Sequence, residues 1–251
     1  MQYAILFELF LYSITFILIF IGACLLLNIF MLTHTKFIVD TELFKDACNH
    51  LPKGEMKTTI NSPTGDFFYD PWEISDEYKG TIWETLYNSL PVSKGEARII
   101  ILDPCQCYQQ HADIDDRYHL NILGDSCYLI NLTQTQMHLL SQDGVWHDMD
   151  AGHLHTAANF GRRARIQLVV RKLLKKNRLK DPIAVSIATN LDNKNHARHL
   201  FDNTMSPWLN SANKSGIINN FSYSPISVTF NIEKDKLDYF KQILPEEFVL
   251  T

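Results

Sequence analysis

Paired cysteine spacing, internal repeats, low-complexity tracts and a large charge imbalance are all absent from this chain. Its five cysteines (Cys24, Cys48, Cys105, Cys107 and Cys127) are odd in number and follow no zinc-ligand spacing. A disulfide framework is therefore not expected, and reduced thiols in a cytoplasmic environment fit better. The formal charge of −5 argues against general nucleic-acid binding, and the positive residues gathered between positions 162 and 180 read as a solvated face. The lack of repeats excludes a repeat architecture. At 251 residues the chain is long enough for one large all-β domain, or for a core plus a small extra domain.

Charge is missing altogether from residues 9–33, where the run FLYSITFILIFIGACLLLNIFML is long enough, at ~1.5 Å per residue, to cross a ~30 Å hydrocarbon core. No basic region precedes it, which argues against a cleaved signal peptide. Residues 1–33 are expected to form an N-terminal transmembrane segment. Glu8 before the run and Lys36 after it lean towards a single-pass protein with a cytoplasmic C-terminal part. If Met31 is the true start, the protein is cytoplasmic.

The rest of the chain changes texture twice. Two short amphipathic helices are predicted over 41–48 and 78–87, separated by loops around Pro63-Thr64-Gly65 and Asp70-Pro71. From Ala97 the runs ARIIIL, RYHLNIL, CYLINL, QMHLL, GVWHDM and RIQLVVR give closely spaced strand signals, broken by Gly-Asp, Gln-Asp-Gly and Asn-Phe-Gly turns. That pattern belongs to a β-sandwich or barrel. A small C-terminal α+β unit is predicted over 181–251, with strands at PIAVSIA and SYSPISVTFNI and helices at NHARHLFDNTMSPWLN and KDKLDYFKQIL. The predicted fold is mainly β with flanking α, with a main domain over 34–175 and its barrel core at 97–171.

The chemistry concentrates in His111-Ala-Asp113, His155 and Arg165. Two imidazoles and one carboxylate can hold non-haem Fe(II) on one face and leave positions open for substrates. In a strand His111 and Asp113 share a face, although Asp113 also heads the turn-like run Asp-Ile-Asp-Asp. His153 lies two residues from His155, and spacing leaves both open as the distal ligand; only the ten-residue interval to Arg165 favours His155. Arg165 sits in an alternating strand, where a guanidinium so placed can grip a carboxylate with both prongs of its fork. Arg117 and His119 share one strand face. His138 and His147 read as structural, and His196 with His199 lack a Glu or Cys partner for zinc. Tyr108, Tyr118, Trp146 and Asn159 are further candidates for lining the site, and Cys105 and Cys107 read as reduced and structural.

The segments HADIDDRYHLNI and MDAGHLHTAANFGRRARIQLVV resemble the aspartyl/asparaginyl β-hydroxylase type of Fe(II)/2-oxoglutarate oxygenase, over roughly residues 97–171. The resemblance runs through Arg117-Tyr118-His119-Leu120, and through His155-Thr156-Ala157-Ala158-Asn159 with Arg165 downstream. It implies a double-stranded β-helix (cupin or jelly-roll) core. It also implies Fe(II) on His111, Asp113 and His155, 2-oxoglutarate on Arg165, Arg117 and His119, O₂ as oxidant, and an amino-acid or peptide substrate. The loop from His111 to Arg117 is shorter than in the animal enzymes of that type. Two other readings stay open: a cupin-like metal-binding protein without oxygenase activity, which has no use for Arg165, and a membrane-tethered interaction protein built around the C-terminal unit.

Overall fold

A computed structural model describes residues 31–51, 56–189, 191, 193–224 and 227–251. The elements run β1 (Leu32–Ile38), α1 (Glu42–Asn49), β2 (Lys57–Thr59), β3 (Asn61–Pro63), β4 (Trp72–Ile74), α2 (Ile82–Asn88), β5 (Lys94–Leu102), β6 (Arg117–Leu123), β7 (Cys127–Asn131), β8 (Gln136–Leu139), β9 (Val145–Met149), β10 (His155–Asn159) and β11 (Arg165–Lys172). Then follow β12 (Pro182–Thr189), α3 (Lys194–Leu200), a π-helical turn (Phe201–Met205), α4 (Ser206–Lys214), β13 (Ile218–Ser224), β14 (Ser227–Glu233), α5 (Leu237–Ile243) and β15 (Phe248–Leu250). The fold is mainly β.

A six-stranded sheet, in the order β1-β9-β6-β11-β5-β2, carries the structure. Its central strands alternate in a way that serves both faces. On β6, β11 and β5 one set of alternate residues is apolar: Leu120 and Ile122, Ile166, Leu168 and Val170, Ala97 and Ile99. These pack in one core with Phe44 and Ala47 of α1 and Trp83, Leu86 and Tyr87 of α2. The other set is polar or charged (Arg117, His119 and Asn121; Arg165, Gln167 and Arg171; Glu96 and Arg98) and is also largely buried, because it faces the interior of the molecule rather than water. A strand buried on both faces that keeps charge on one of them marks a site.

A small sheet, β10-β7-β8, supplies the opposite wall. Residues 107–111 extend it through isolated bridges from Cys107 to Ala158 and from His111 to His155. The C-terminal sheet, β13-β14-β12-β15, has its own core, with Val185, Ile187, Phe201, Met205, Leu209, Phe230 and Phe240. Phe68, Tyr69 and Ile114 belong to that same core, so it is continuous with the region that leads into the site.

Several expectations are corrected. Of the apolar run predicted to span a bilayer, residues 1–30 lie outside the described residues, and Leu32 and Thr33 pair with Met149 and Asp148 in β1. Among the described residues no helix is long and apolar enough to cross a membrane. The stretch 222–232, read as one strand, falls on the two paired strands β13 and β14. The stretch 195–210, read as one helix, is α3 and α4 joined by the π-helical turn. His153 lies in a turn and not on a strand, and Asp113 follows the isolated bridge at His111 without being in a strand itself. Among the described residues, Cys48, Cys105, Cys107 and Cys127 form no disulfide with one another, and Cys24 lies outside them.

Candidate metal centre and cavity

His111 and His155 face each other across a backbone bridge in which each N–H donates to the other's carbonyl, at 2.9 and 2.8 Å. Their imidazoles are oriented alike. Nδ1 of His111 lies 2.9 Å from the Gln109 carbonyl, and Nδ1 of His155 lies 2.7 Å from the His153 carbonyl. A ring nitrogen beside a carbonyl oxygen must be the protonated one, which leaves each Nε2 with a free lone pair. Both free nitrogens point at one atom: Asp113 Oδ2 is 3.9 Å from His111 Nε2 and 4.0 Å from His155 Nε2. The three groups form a cluster whose ligand atoms lie within 4.8 Å of one another.

Asp113 is held from the backbone and from its own carboxylate. Its N–H donates to the Ala151 carbonyl at 2.8 Å, while the preceding Ala112 N–H donates to the carbonyl of Asp202, in the π-helical turn, at 2.9 Å. Its second oxygen, Oδ1, accepts from Arg117 Nη2 at 2.8 Å. Burial pushes the Asp113 carboxyl up, but the guanidinium of Arg117 and the two imidazoles outweigh it and hold the group well below the usual carboxylate range. Burial lowers His155 to about 4 against the opposing pull of Asp113, so its imidazole is neutral, the form that ligates a metal.

Arg117 therefore has partners of its own. Besides Asp113 it pairs with the buried Asp115, which also receives Arg171. Glu96 pairs with Arg98 and Arg171 and closes a charge network along the cavity wall. Burial lowers Arg117, but the two aspartates more than reverse this and raise it. The guanidinium expected from the resemblance to meet a co-substrate is instead engaged by the ligand carboxylate and its neighbour.

Arg165 is different. It is 1% exposed, and its Nε and Nη1 have no hydrogen-bond partner. Its guanidinium carbon lies 5.9 Å from the centre of the Tyr108 ring, whose hydroxyl is also buried without a partner. Nearby on the same sheet face lie the buried His119 and Gln167, whose side chains meet each other. Burial and then the Arg165 charge push His119 down to about 3, so it is neutral. Gly124 is required behind this wall: its φ is +132°, and a Cβ there would stand 2.6 Å from Cys127 Sγ and 3.2 Å from Arg165 Cα.

All of this opens on one cavity of about 350 Å³, lined by His111, Asp113, His155, Arg165, His119 and Tyr108 among others. An ion pair or hydrogen bond is the usual condition for burying a guanidinium, since an uncompensated buried charge is among the most costly features a fold can carry. The cavity thus holds a His₂Asp cluster and a buried guanidinium with two unpartnered nitrogens.

Spacing brought out His111, Asp113, His155 and Arg165, the family resemblance added Arg117 and His119, and all six line this cavity. Of the other candidates, Tyr108 lines it, whereas Trp146 is in the core with its Nε1–H on Ser89 Oγ. Asn159 braces a loop by donating to the Leu102 and Arg163 carbonyls. Tyr118 packs beside the apolar core on the far face of β6. Sequence reasoning missed Glu96, Arg98 and Arg171, although period-two alternation along β5 and β11 marks them once the facing residues are known. It also missed Arg198, Asp202, Ser206 and Tyr223, which the C-terminal unit contributes from far along the chain.

No family model matches this chain, and no curated protein matches it. Among solved structures, the crystal structure of a Pseudomonas putida prolyl-4-hydroxylase is similar over 58% of this chain and 93% of that one, with 14% identity and a TM-score of 0.34. That superposition is too loose to establish a shared fold.

Proposed function

We propose that this protein is an Fe(II)- and 2-oxoglutarate-dependent oxygenase, of the aspartyl/asparaginyl β-hydroxylase type, that hydroxylates an amino-acid side chain. The observation that carries the reading is Arg165: a buried cation with free donors, in the same cavity as two imidazoles and a carboxylate. A metal-binding protein without a carboxylate co-substrate has no need of that cation. The facing of the six-stranded sheet by the small sheet across the cavity supports a double-stranded β-helix core for the domain.

The residues fit the metal. Two imidazole nitrogens and one carboxylate oxygen converge from one side, the donor set suited to ferrous iron with open positions. When bound, iron with 2-oxoglutarate and O₂ would supply the oxidising power to break an unactivated C–H bond. The chain's own part is positional. His111 and His155 present Nε2 because their Nδ1–H groups are tied to carbonyls. Arg117 ties down Oδ1 of Asp113 and leaves Oδ2 to face the imidazoles; outer partners of this kind fix ligand direction. Arg165 offers two N–H donors to the far carboxylate of the co-substrate, with neutral His119 on the same wall and Tyr108 facing it from the small sheet. Arg165 itself is 1% exposed, and a charge-assisted bond is stronger at so buried a position than in water.

Spectroscopy tests the assignment directly. Anaerobic addition of Fe(II) and 2-oxoglutarate should give a weak visible charge-transfer band in the wild type and none in His155→Ala. A band that survives in His155→Ala but vanishes in His153→Ala would reject the proposed ligand set.

A further inference from the structure

On the outer strands of the same sheet, three more side chains converge. His34 of β1 stands directly opposite His147 of β9 in the antiparallel register. Their rings meet edge to face with centroids 4.5 Å apart. Asp143, in the loop before β9, completes the group, and the three offer ligand atoms that all lie within 4.8 Å of one another.

Two features distinguish this group from a chance surface cluster. His147 is only 1% exposed, and its Nδ1 is buried without a hydrogen bond of ordinary geometry. Asp143 is also held in place: its Oδ1 accepts the Val145 N–H at 2.9 Å, an Asx-type turn that leaves Oδ2 free. The turn itself is fixed by Gly144, whose φ of +78° and whose carbonyl contact from the Val39 N–H at 2.8 Å lock the loop against the end of β1. A Cβ at Gly144 would stand 2.4 Å from the Val39 carbonyl oxygen, so no other residue fits there without displacing the strand.

We propose that His34, Asp143 and His147 form a second metal site, one that takes Zn²⁺ or a similar borderline transition ion and clips the edge strand β1 to β9. Two imidazoles and a carboxylate with the fourth position left to water suit zinc, and binding would draw the donors from within 4.8 Å to the ~3.3 Å they keep when each is about 2 Å from the ion. The site shares no residue with the cavity cluster. Its role is structural: among the described residues β1 pairs with β9 alone, at the edge of the sheet, and a metal bridging His34 to β9 secures that strand.

Equilibrium dialysis of the full-length protein against Zn²⁺ tests this. The wild type should bind two equivalents, and His34→Gln and Asp143→Asn should each weaken one of them at least tenfold while His155→Ala leaves that one in place. Hydrogen exchange of residues 32–38 provides a second readout: Zn²⁺ should slow it in the wild type and not in His34→Gln. If the cavity cluster binds no metal, the wild type would bind a single equivalent that His34→Gln removes and His155→Ala does not, which leaves the present proposal standing. Unchanged zinc stoichiometry, affinity and exchange in both His34→Gln and Asp143→Asn would overturn it.

Discussion

Arg165 and Arg117 are two guanidiniums on one cavity wall with different duties, and mutation should separate them. Loss of a charge-assisted partner for a buried carboxylate costs about 2–5 kcal/mol. Arg165→Ala should therefore raise the 2-oxoglutarate concentration needed for half-maximal turnover by roughly thirtyfold or more. An unchanged requirement in a folded variant would argue for metal binding without a carboxylate co-substrate. Arg117→Met should act on the metal instead, because it frees Asp113 Oδ1, which Arg117 holds at 2.8 Å. Fe(II) affinity should fall about 10–100-fold, with the 2-oxoglutarate requirement at saturating iron changed much less than in Arg165→Ala. Equal effects on both would contradict the division of labour. The sequence exposed the His-x-Asp pair and the interval to Arg165 because both lie in short stretches of chain. It did not expose the partners of Arg117, since Asp115 reads as one more turn residue until the backbone folds it against β6 and β11.

At the scale of elements, alternation along single strands was the legible signal, and β5, β6, β7, β8, β9 and β11 fall where their apolar runs place them. The strands that were missed, β1, β2, β3, β4 and β15, all lie at sheet edges or in a two-stranded pair, and all but β1 are three residues long, too short to show alternation. One local device has a measurable consequence. The ammonium of Lys94 closes the end of α2 by donating to the Tyr87 and Leu90 carbonyls at 2.9 and 2.6 Å. Burial lowers its pKa to about 8. The unfolded chain holds this proton more tightly, with an ordinary lysine value near 10.4, so the folded state loses ground below pH 8 and gains stability as pH rises from 8 towards 10. Urea midpoints should rise over that interval in the wild type relative to Lys94→Met. Parallel pH profiles for the two proteins would show that Lys94 is not the source.

The whole molecule brings the C-terminal unit to the site, and this was the part of the structure least accessible from sequence. The Ala112 N–H donates to Asp202, Asn210 reaches Asp116 at 3.2 Å, and Lys214 bridges Asp116 and Asp150 at 2.8 and 2.9 Å. The loop that presents Asp113 is thus held by α4 and the π-helical turn, and no local pattern encodes contacts across some ninety residues of chain. A protein ending at Lys180 should lose Fe(II) binding and expose the apolar residues Phe68, Tyr69 and Ile114, which share the C-terminal core. Retention of wild-type Fe(II) affinity in that truncation would show that the C-terminal unit does not support the site. The central claim is that the His₂Asp cluster and Arg165 act together on one co-substrate, and the most direct measurement is Fe(II)-dependent conversion of 2-oxoglutarate to succinate by the full-length protein, surveyed across free amino acids and peptides. The account predicts turnover that requires Fe(II), is stimulated by one class of amino-acid substrate, and is lost in His111→Ala and His155→Ala. Absence of succinate with every substrate, from protein that binds Fe(II) at these residues, would contradict it.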